Sequence, residues 1–139
     1  MASIRLQLEK TIVHSLQFNY SEKNLLDDSK EKGYSFECTP AFSEEDKSNF
    51  LVIFNLNLIV GKYHSLSIEY HAMFESSEVI TEEFINSNFP LVNAPAIAFP
   101  YLRAFLSTFL MNAGFTPVML PSINFSAIYK KKQQALIKN

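Results

Sequence analysis

Four prolines and one glycine interrupt the apolar stretch of residues 93–129 and limit which parts of it can be helical. These residues are Pro95, Pro100, Gly114, Pro117 and Pro121. A proline fits the first turn of a helix, whereas a glycine readily adopts the left-handed conformation that ends one. The spacing therefore predicts a long helix over about residues 96–113, followed by an extended linker. Asn124 can then cap a last helix, which carries three consecutive lysines at 130–132.

The N-terminal half of the chain shows strand periodicity instead. Apolar and polar residues alternate over residues 4–8, and the pattern continues towards Phe18 with a predicted bulge. A second short strand covers residues 34–39. Pro40 is expected to end its regular pairing, because proline lacks the N–H that a ladder uses.

The clearest strand covers residues 50–60, where both faces are apolar. This is typical of a central strand that is covered, at least partly, on each side. A turn at Gly61 joins it to a fourth strand over residues 65–74, and a connection this short predicts an antiparallel hairpin. Because the strands come first and the helices after them, the pattern predicts an α+β fold.

The composition is more apolar than that of a typical small monomer. The chain has 139 residues, which suits a single domain over residues 1–139. Its charged fraction is 19%, below the usual ~25%, and it contains 13 phenylalanines. This excess indicates either a large interface between copies of the chain or a surface that binds apolar ligands. The net charge of −2 gives no general attraction to nucleic acid or to an anionic membrane.

The predicted location is cytoplasmic. Cys38 is the single cysteine, so no disulfide can form within the chain, which fits a reducing compartment. The first ten residues lack the continuous apolar core of a signal peptide. The longest apolar run, residues 94–119, is broken by proline, arginine, asparagine and glycine, which makes it a poor membrane span.

Residues that could carry catalysis or bind a metal are few. His64 and His71 are seven apart in one predicted strand, so they should point to opposite faces, and no shared metal site is expected. Cys38 lies on an alternating strand, where a small core residue is more common than a thiolate nucleophile. No phosphate-binding loop and no hydrolase or metalloprotease motif occurs. The sequence therefore predicts a protein that is not an enzyme and has no cofactor or metal site.

The order of motifs in the apolar stretch resembles that of the SecB family of protein-export chaperones. The motif FPY is followed by an arginine two residues later, a helix, Gly-Phe-x-Pro and Leu-Pro-x-Ile-Asn-Phe. The matching positions are Pro95, Ile97, Phe99, Pro100, Tyr101, Arg103, Gly114, Pro117, Leu120, Pro121, Ile123, Asn124 and Phe125. The similarity is tightest over residues 95–125 and extends more loosely across almost the whole chain.

The resemblance implies a four-stranded antiparallel sheet with a long helix and a C-terminal helix. It also implies a homotetramer, built as a dimer of dimers, that holds unfolded polypeptides without ATP. The expected subunit contacts are Leu66, Ile68, Tyr70, Tyr101 and Phe105. The expected client-binding residues are large, adaptable apolar side chains: Phe36, Met73, Phe74, Phe115, Met119, Phe125 and Tyr129.

A further implication is docking on the translocase motor SecA through acidic residues on the outer face of the sheet. That face here offers Ser65, Ser67, His14 and Asn19, and the last residues, YKKKQQALIKN, are basic. Since complementary charge controls such encounters, these departures weaken the expectation of SecA as a partner. Two alternatives to a general export chaperone stay open: a SecB-like chaperone dedicated to one client, such as an antitoxin, and an adaptor module without chaperone activity.

Overall fold

Four antiparallel strands form one sheet in the computed structural model, which describes residues 3–26, 34–117, 120 and 122–138. The strands are β1 (Leu6–Tyr20), β2 (Tyr34–Phe42), β3 (Asn49–Val60) and β4 (His64–Ser76). Their order across the sheet is β1-β4-β3-β2, so β1 and β2 lie at the two edges. The predicted hairpin of the last two strands is confirmed, and Gly61 occupies its turn with a φ of +65°.

Strand β1 contains two bulges, which confirms and extends the predicted irregularity. The register against β4 shifts between Leu8 and Lys10 and again between Val13 and Ser15. Each shift leaves one residue, Glu9 or His14, without a partner on β4. A bulge bends its strand and changes the direction of the extra side chain. The side chain of His14 therefore need not follow the simple alternation of its neighbours.

The expectation that Pro40 ends the second strand is wrong. Strand β2 continues to Phe42, and Pro40 itself lies opposite Val52 in an unbroken register. The position of the strand explains this, because β2 is at an edge of the sheet. On an edge strand, a nitrogen that points away from the sheet has no ladder hydrogen bond to lose.

Helices follow the sheet, as predicted. They are α1 (Glu82–Ile85), α2 (Ala94–Asn112) and α3 (Phe125–Lys138), with a π-helical turn at Phe89–Asn93 before α2. Gly114 has a φ of +95°, and the N–H of Phe115 donates to the carbonyl of Leu110 over 2.8 Å. This left-handed ending of α2 confirms the role predicted for the glycine.

The long helix tolerates one proline in its interior. Pro95 lies in the first turn of α2, whereas Pro100 lies well inside the helix. An internal proline leaves the carbonyl four residues earlier, that of Ala96, without its helical donor. Ala96 and Pro100 are both exposed, so water can satisfy this carbonyl.

The core lies between one face of the sheet and α2. Even-numbered residues of β3 and β4 are buried on this face, and the helix supplies Ala98, Leu102, Leu106 and Leu110. The opposite face, which carries Leu51, Ile53 and Ile59, stays half-buried. Strand β3 is therefore fully covered on its even-numbered face and only partly covered on its odd-numbered face.

Within the helical stretch Glu82–Asn112, an 18-residue window with a mean hydropathy of 1.3 is long and apolar enough to cross a membrane by length and composition. The helices that pack in the cores of soluble proteins meet the same criterion. Here 39% of the relevant window is buried inside the fold, and α2 covers the sheet. The stretch is therefore weak evidence for a membrane span.

Candidate functional site

An apolar groove runs along the edge strand β2, beneath α3. Three adjoining cavities form it, and Ile128 of α3 contributes to the wall of each. Strand β2 supplies Phe36 and Cys38, and the helical connection before α2 supplies Pro90 and Leu91. We call this surface the α3 groove. One of its cavities, between the connection and α3, has a volume of about 210 Å³.

The start of α3 is fixed by a cap and one aromatic anchor. The backbone N–H of Ala127 donates to Asn124 Oδ1 over 3.0 Å, which confirms the predicted cap. Phe125 is 5% exposed, and its ring packs against three others. The ring centroids lie 5.8 Å from Phe99, 6.2 Å from Phe36 and 6.5 Å from Phe54. The anchor therefore joins α3 to α2, β2 and β3 at one point.

A second tie holds α3 one turn later. The hydroxyl of Tyr129 donates to the carbonyl of Asn86 over 3.2 Å, which links α3 to the end of α1. Beyond this point, residues 130–134 are exposed. Phe125 and Tyr129 therefore tie the first turns of α3 to the rest of the subunit.

The edge of β2 adds backbone groups to the groove. Among the described residues, β2 pairs with β3 alone, so its outer edge is open. An open strand edge presents unpaired N–H and carbonyl groups to which an extended peptide can bond. The site therefore combines apolar pockets with a strand-pairing edge.

Cys38 lies in the wall of the groove with its thiol held neutral. Burial raises the pKa of Cys38 to about 12, and the nearby charge of Lys132 opposes this effect only in part. A thiol with such a pKa carries almost no thiolate at neutral pH. The chemistry of this cysteine thus fits the predicted packing role and offers no nucleophile.

The structure brings together three of the seven residues expected to bind clients. Phe36 and Tyr129 are half-buried in the α3 groove, and Phe125 forms its floor. Phe74 is fully buried in the core, stacked on Phe50 at 5.5 Å, so a client cannot reach it in this arrangement.

The remaining expected client residues lie elsewhere. Met73 borders a separate cavity with Phe42 and Leu51, at the end of the sheet where β2 and β3 are joined. Phe115 packs against Phe18 and His64 beyond the end of α2. Met119 lies outside the described residues.

The expected subunit contacts divide into two groups. Leu66, Ile68 and Tyr70 are buried beneath α2 within the subunit, so they contribute to the core. Phe105 is half-buried against Tyr70, with ring centroids 6.2 Å apart, and Tyr101 is 53% exposed.

Tyr101 belongs to a second apolar surface on the outer side of α2. Ile97, Tyr101 and Met111 are large apolar residues that stay between 43% and 59% exposed. We call this surface the α2 face. A helix that is apolar on all sides is normally covered on all sides, so this face suits contact with another chain.

Sequence reasoning missed Ile128, Leu91 and Pro90 as parts of the groove. Ile128 follows Phe125 at helical spacing, which could have placed the two on one face of α3. No sequence signal indicated that residues 90 and 91 would meet α3, because the contact depends on the π-helical turn before α2.

Comparison with known proteins links the chain to one family. The SecB family model, described as preprotein translocase subunit SecB, matches residues 14–136. Protein-export protein SecB of Anaplasma phagocytophilum is 35% identical over 82 residues, which are 56% of this chain and 51% of that protein. The match thus spans about half the length of that curated relative. An uncharacterized protein of Methanocaldococcus jannaschii, MJ0357, is 26% identical over 96% of this chain and 88% of its own length.

A solved structure has the same fold. It is the SecB-like chaperone Rv1957 of Mycobacterium tuberculosis, in complex with a ChAD peptide from the antitoxin HigA1. The TM-score is 0.63, at 16% identity, over 86% of this chain and 91% of the other. The four-stranded antiparallel sheet with its long and C-terminal helices is thereby confirmed as a SecB-like arrangement.

Proposed function

This chain belongs to the SecB family, and from that membership we propose that it is an ATP-independent chaperone that holds non-native polypeptides in the α3 groove. The observation that carries the proposal is the groove itself, in which apolar pockets adjoin an open strand edge. A groove of this kind can accept an extended segment of many sequences. The main-chain bonds give affinity, and the pockets require only apolar side chains.

The groove suits clients that are unfolded rather than folded. An extended segment can pair with the edge of β2 and place alternate side chains against Phe36 and Ile128. Each large apolar side chain that becomes fully buried contributes roughly 1.5–3 kcal/mol. Folded proteins rarely present such a segment, because their apolar residues and strand edges are already covered.

We also propose that the subunits form a homotetramer, built as a dimer of dimers, in the cytoplasm. The α2 face supports assembly, since it leaves Ile97, Tyr101 and Met111 exposed on the outer side of the longest helix. A tetramer of 15.9 kDa subunits has a mass of about 64 kDa, four times the subunit mass, which light scattering can measure. We expect Tyr101→Glu to lower that mass without unfolding the subunit, because the side chain is 53% exposed.

Two observations bear on whether the clients are general or dedicated. The related chaperone Rv1957 was solved with a peptide from an antitoxin, which supports a dedicated client as the second candidate. The outer face of the sheet, where acidic residues were expected, carries neutral Ser67 and Asn57, hydrogen-bonded to each other, beside the carboxylate of Glu69, and this mixed face gives SecA docking limited support. Protection of several unrelated unfolded proteins would favour the general role, whereas protection of a single client would favour the dedicated one.

Suppression of aggregation tests the holdase proposal. The variant Ile128→Ser removes an apolar side chain that lines every part of the α3 groove. We expect affinity for an unfolded client to fall roughly tenfold or more, since the lost burial is worth at least ~1.5 kcal/mol. The matched control is Val79→Ser, which changes a residue that is 62% exposed and outside the groove. Equal activity of both variants would contradict the assignment of the groove.

A further inference from the structure

Two histidines and one glutamate converge on the sheet face that lies opposite the core. His71 Nε2 lies 2.6 Å from Glu69 Oε2, and His14 Nε2 lies 3.5 Å from the same oxygen. The two imidazole rings are stacked, with centroids 4.4 Å apart and planes 12° from parallel. One potential ligand atom from each side chain thus lies within 4.8 Å of the other two.

The bulge in β1 explains how these residues meet. Glu69 and His71 are two apart on β4, so they project from the same face of the sheet. His14 is the extra residue of the register shift between Val13 and Ser15, which lie opposite Tyr70 and Glu69. As the extra residue, His14 has no single partner on β4, and its side chain lies beside those of Glu69 and His71. The sequence already placed His14 on this face, but its position beside Glu69 and His71 depends on where the bulge falls.

The burial of the three side chains is graded. The side chain of His71 is 14% exposed, that of Glu69 is 32% exposed and that of His14 is 59% exposed. Two members are therefore held in the sheet, while the third can adjust its position above them. An ion from solvent would reach the cluster past the His14 side chain, which is the most exposed of the three.

We propose that His14, Glu69 and His71 form a binding site for a divalent transition metal ion, with Zn²⁺ as the principal occupant. Two imidazole nitrogens and one carboxylate oxygen make a donor set that zinc commonly takes in proteins, with a fourth position left for water. Each imidazole would bind through Nε2, the atom that already faces Glu69, with its proton on Nδ1. Rotation of the exposed His14 side chain would bring its nitrogen to the short distance that zinc requires.

The ion would join β1 to β4 where their ladder is interrupted. Strand β1 is an edge strand, and His14 has no partner on β4, so the pairing of the two strands is irregular at His14. A metal bound to the folded state alone stabilises that state by mass action. The proposal is independent of the chaperone function, because the cluster lies on the face of the sheet opposite the core.

Metal titration of the full chain, without an affinity tag and after treatment with a chelator, tests the site. Calorimetry with Zn²⁺ should give one ion per chain, and Co²⁺ should produce the visible absorption of a low-symmetry site. We expect His14→Ala and His71→Ala each to weaken Zn²⁺ binding by at least about tenfold. Loss of a residue that only hydrogen-bonds to a metal ligand already lowers metal affinity by about this factor, and loss of a ligand itself should lower it at least as much. Zn²⁺ should also raise the Tm of the wild type and leave that of His14→Ala unchanged.

The third histidine provides the matched control. His64 lies in the same strand but on the other face, where its ring packs against Phe18 and Phe115. His64→Ala should bind Zn²⁺ like the wild type. The proposal is overturned if the wild type binds no stoichiometric Zn²⁺, or if His14→Ala binds it as tightly as the wild type. Should His71→Ala fail to fold, His14→Ala still decides, because that side chain is largely exposed and outside the core.

Discussion

Replacement of Phe125 by alanine should release α3 from the subunit while the sheet remains folded. The ring is 5% exposed and lies between 5.8 and 6.5 Å, centroid to centroid, from Phe99, Phe36 and Phe54. Truncation of a buried phenylalanine to alanine typically costs about 3–5 kcal/mol. Because the ring of Phe125 joins α3 to α2, β2 and β3, that loss can be relieved by undocking of the helix. We therefore expect a local effect rather than global unfolding.

Hydrogen exchange measures this effect residue by residue. A loss of about 3–5 kcal/mol in the local opening free energy corresponds to exchange faster by roughly two to four powers of ten. The increase should appear at the amides of α3, whereas those of β3 and β4 should keep their protection. The affinity for an unfolded client should fall in the same variant, since α3 forms one wall of the groove.

The control variant is Phe74→Ala, which removes an equally buried ring from the core. It should lower the free energy of global unfolding by a similar amount and raise exchange throughout the sheet. The reasoning is refuted if Phe125→Ala leaves the exchange of α3 unchanged, or if it destabilises the sheet as much as Phe74→Ala does.

Three further predictions concern single residues. Gly114→Ala should destabilise the chain by about 1–2 kcal/mol in urea unfolding, because a φ of +95° strains the backbone of any residue with a Cβ. No neighbouring atom lies within 4 Å of the added Cβ, so no steric clash adds to this cost. An unchanged midpoint would contradict the prediction. Cys38 should react with a thiol reagent at neutral pH far more slowly in the folded than in the urea-unfolded chain, since its pKa is raised to about 12; equal rates would show an accessible thiolate. The pKa of Asp46 is lowered by its hydrogen bonds with Asn49 and Ser48. The stability that Asp46 contributes should therefore be present above pH 3.8 and lost as the pH falls through its folded pKa. An Asp46→Asn variant whose stability has the same acid dependence as that of the wild type would refute this.

Much of the fold could be predicted from local patterns. Alternation identified the strands, and the glycines at 61 and 114 marked the hairpin turn and the end of α2, where φ is positive. Local patterns failed where tertiary position decided the outcome. Pro40 stays in a strand because that strand is at an edge, and Pro100 stays in a helix because its side faces solvent.

The candidate site was harder to predict than the fold. Phe36, Phe125 and Tyr129 come together because α3 returns to lie over β2, which a list of large apolar residues cannot indicate. Phe74 is equally apolar, yet it is buried on the core face of β4. Amino-acid type predicts which residues avoid water, whereas the packing of helices on the sheet decides which of them stay accessible.

The most direct test of the proposed chaperone function is solution NMR of the isotopically labelled protein during titration with an unfolded polypeptide. We predict that the largest chemical shift changes occur in the edge strand β2 and the first turns of α3, with smaller changes in the helical connection at Pro90 and Leu91. Variant Ile128→Ser should reduce these changes at the same client concentration. Changes confined to other surfaces, or no change at saturating client, would contradict the proposal that this groove holds non-native polypeptides.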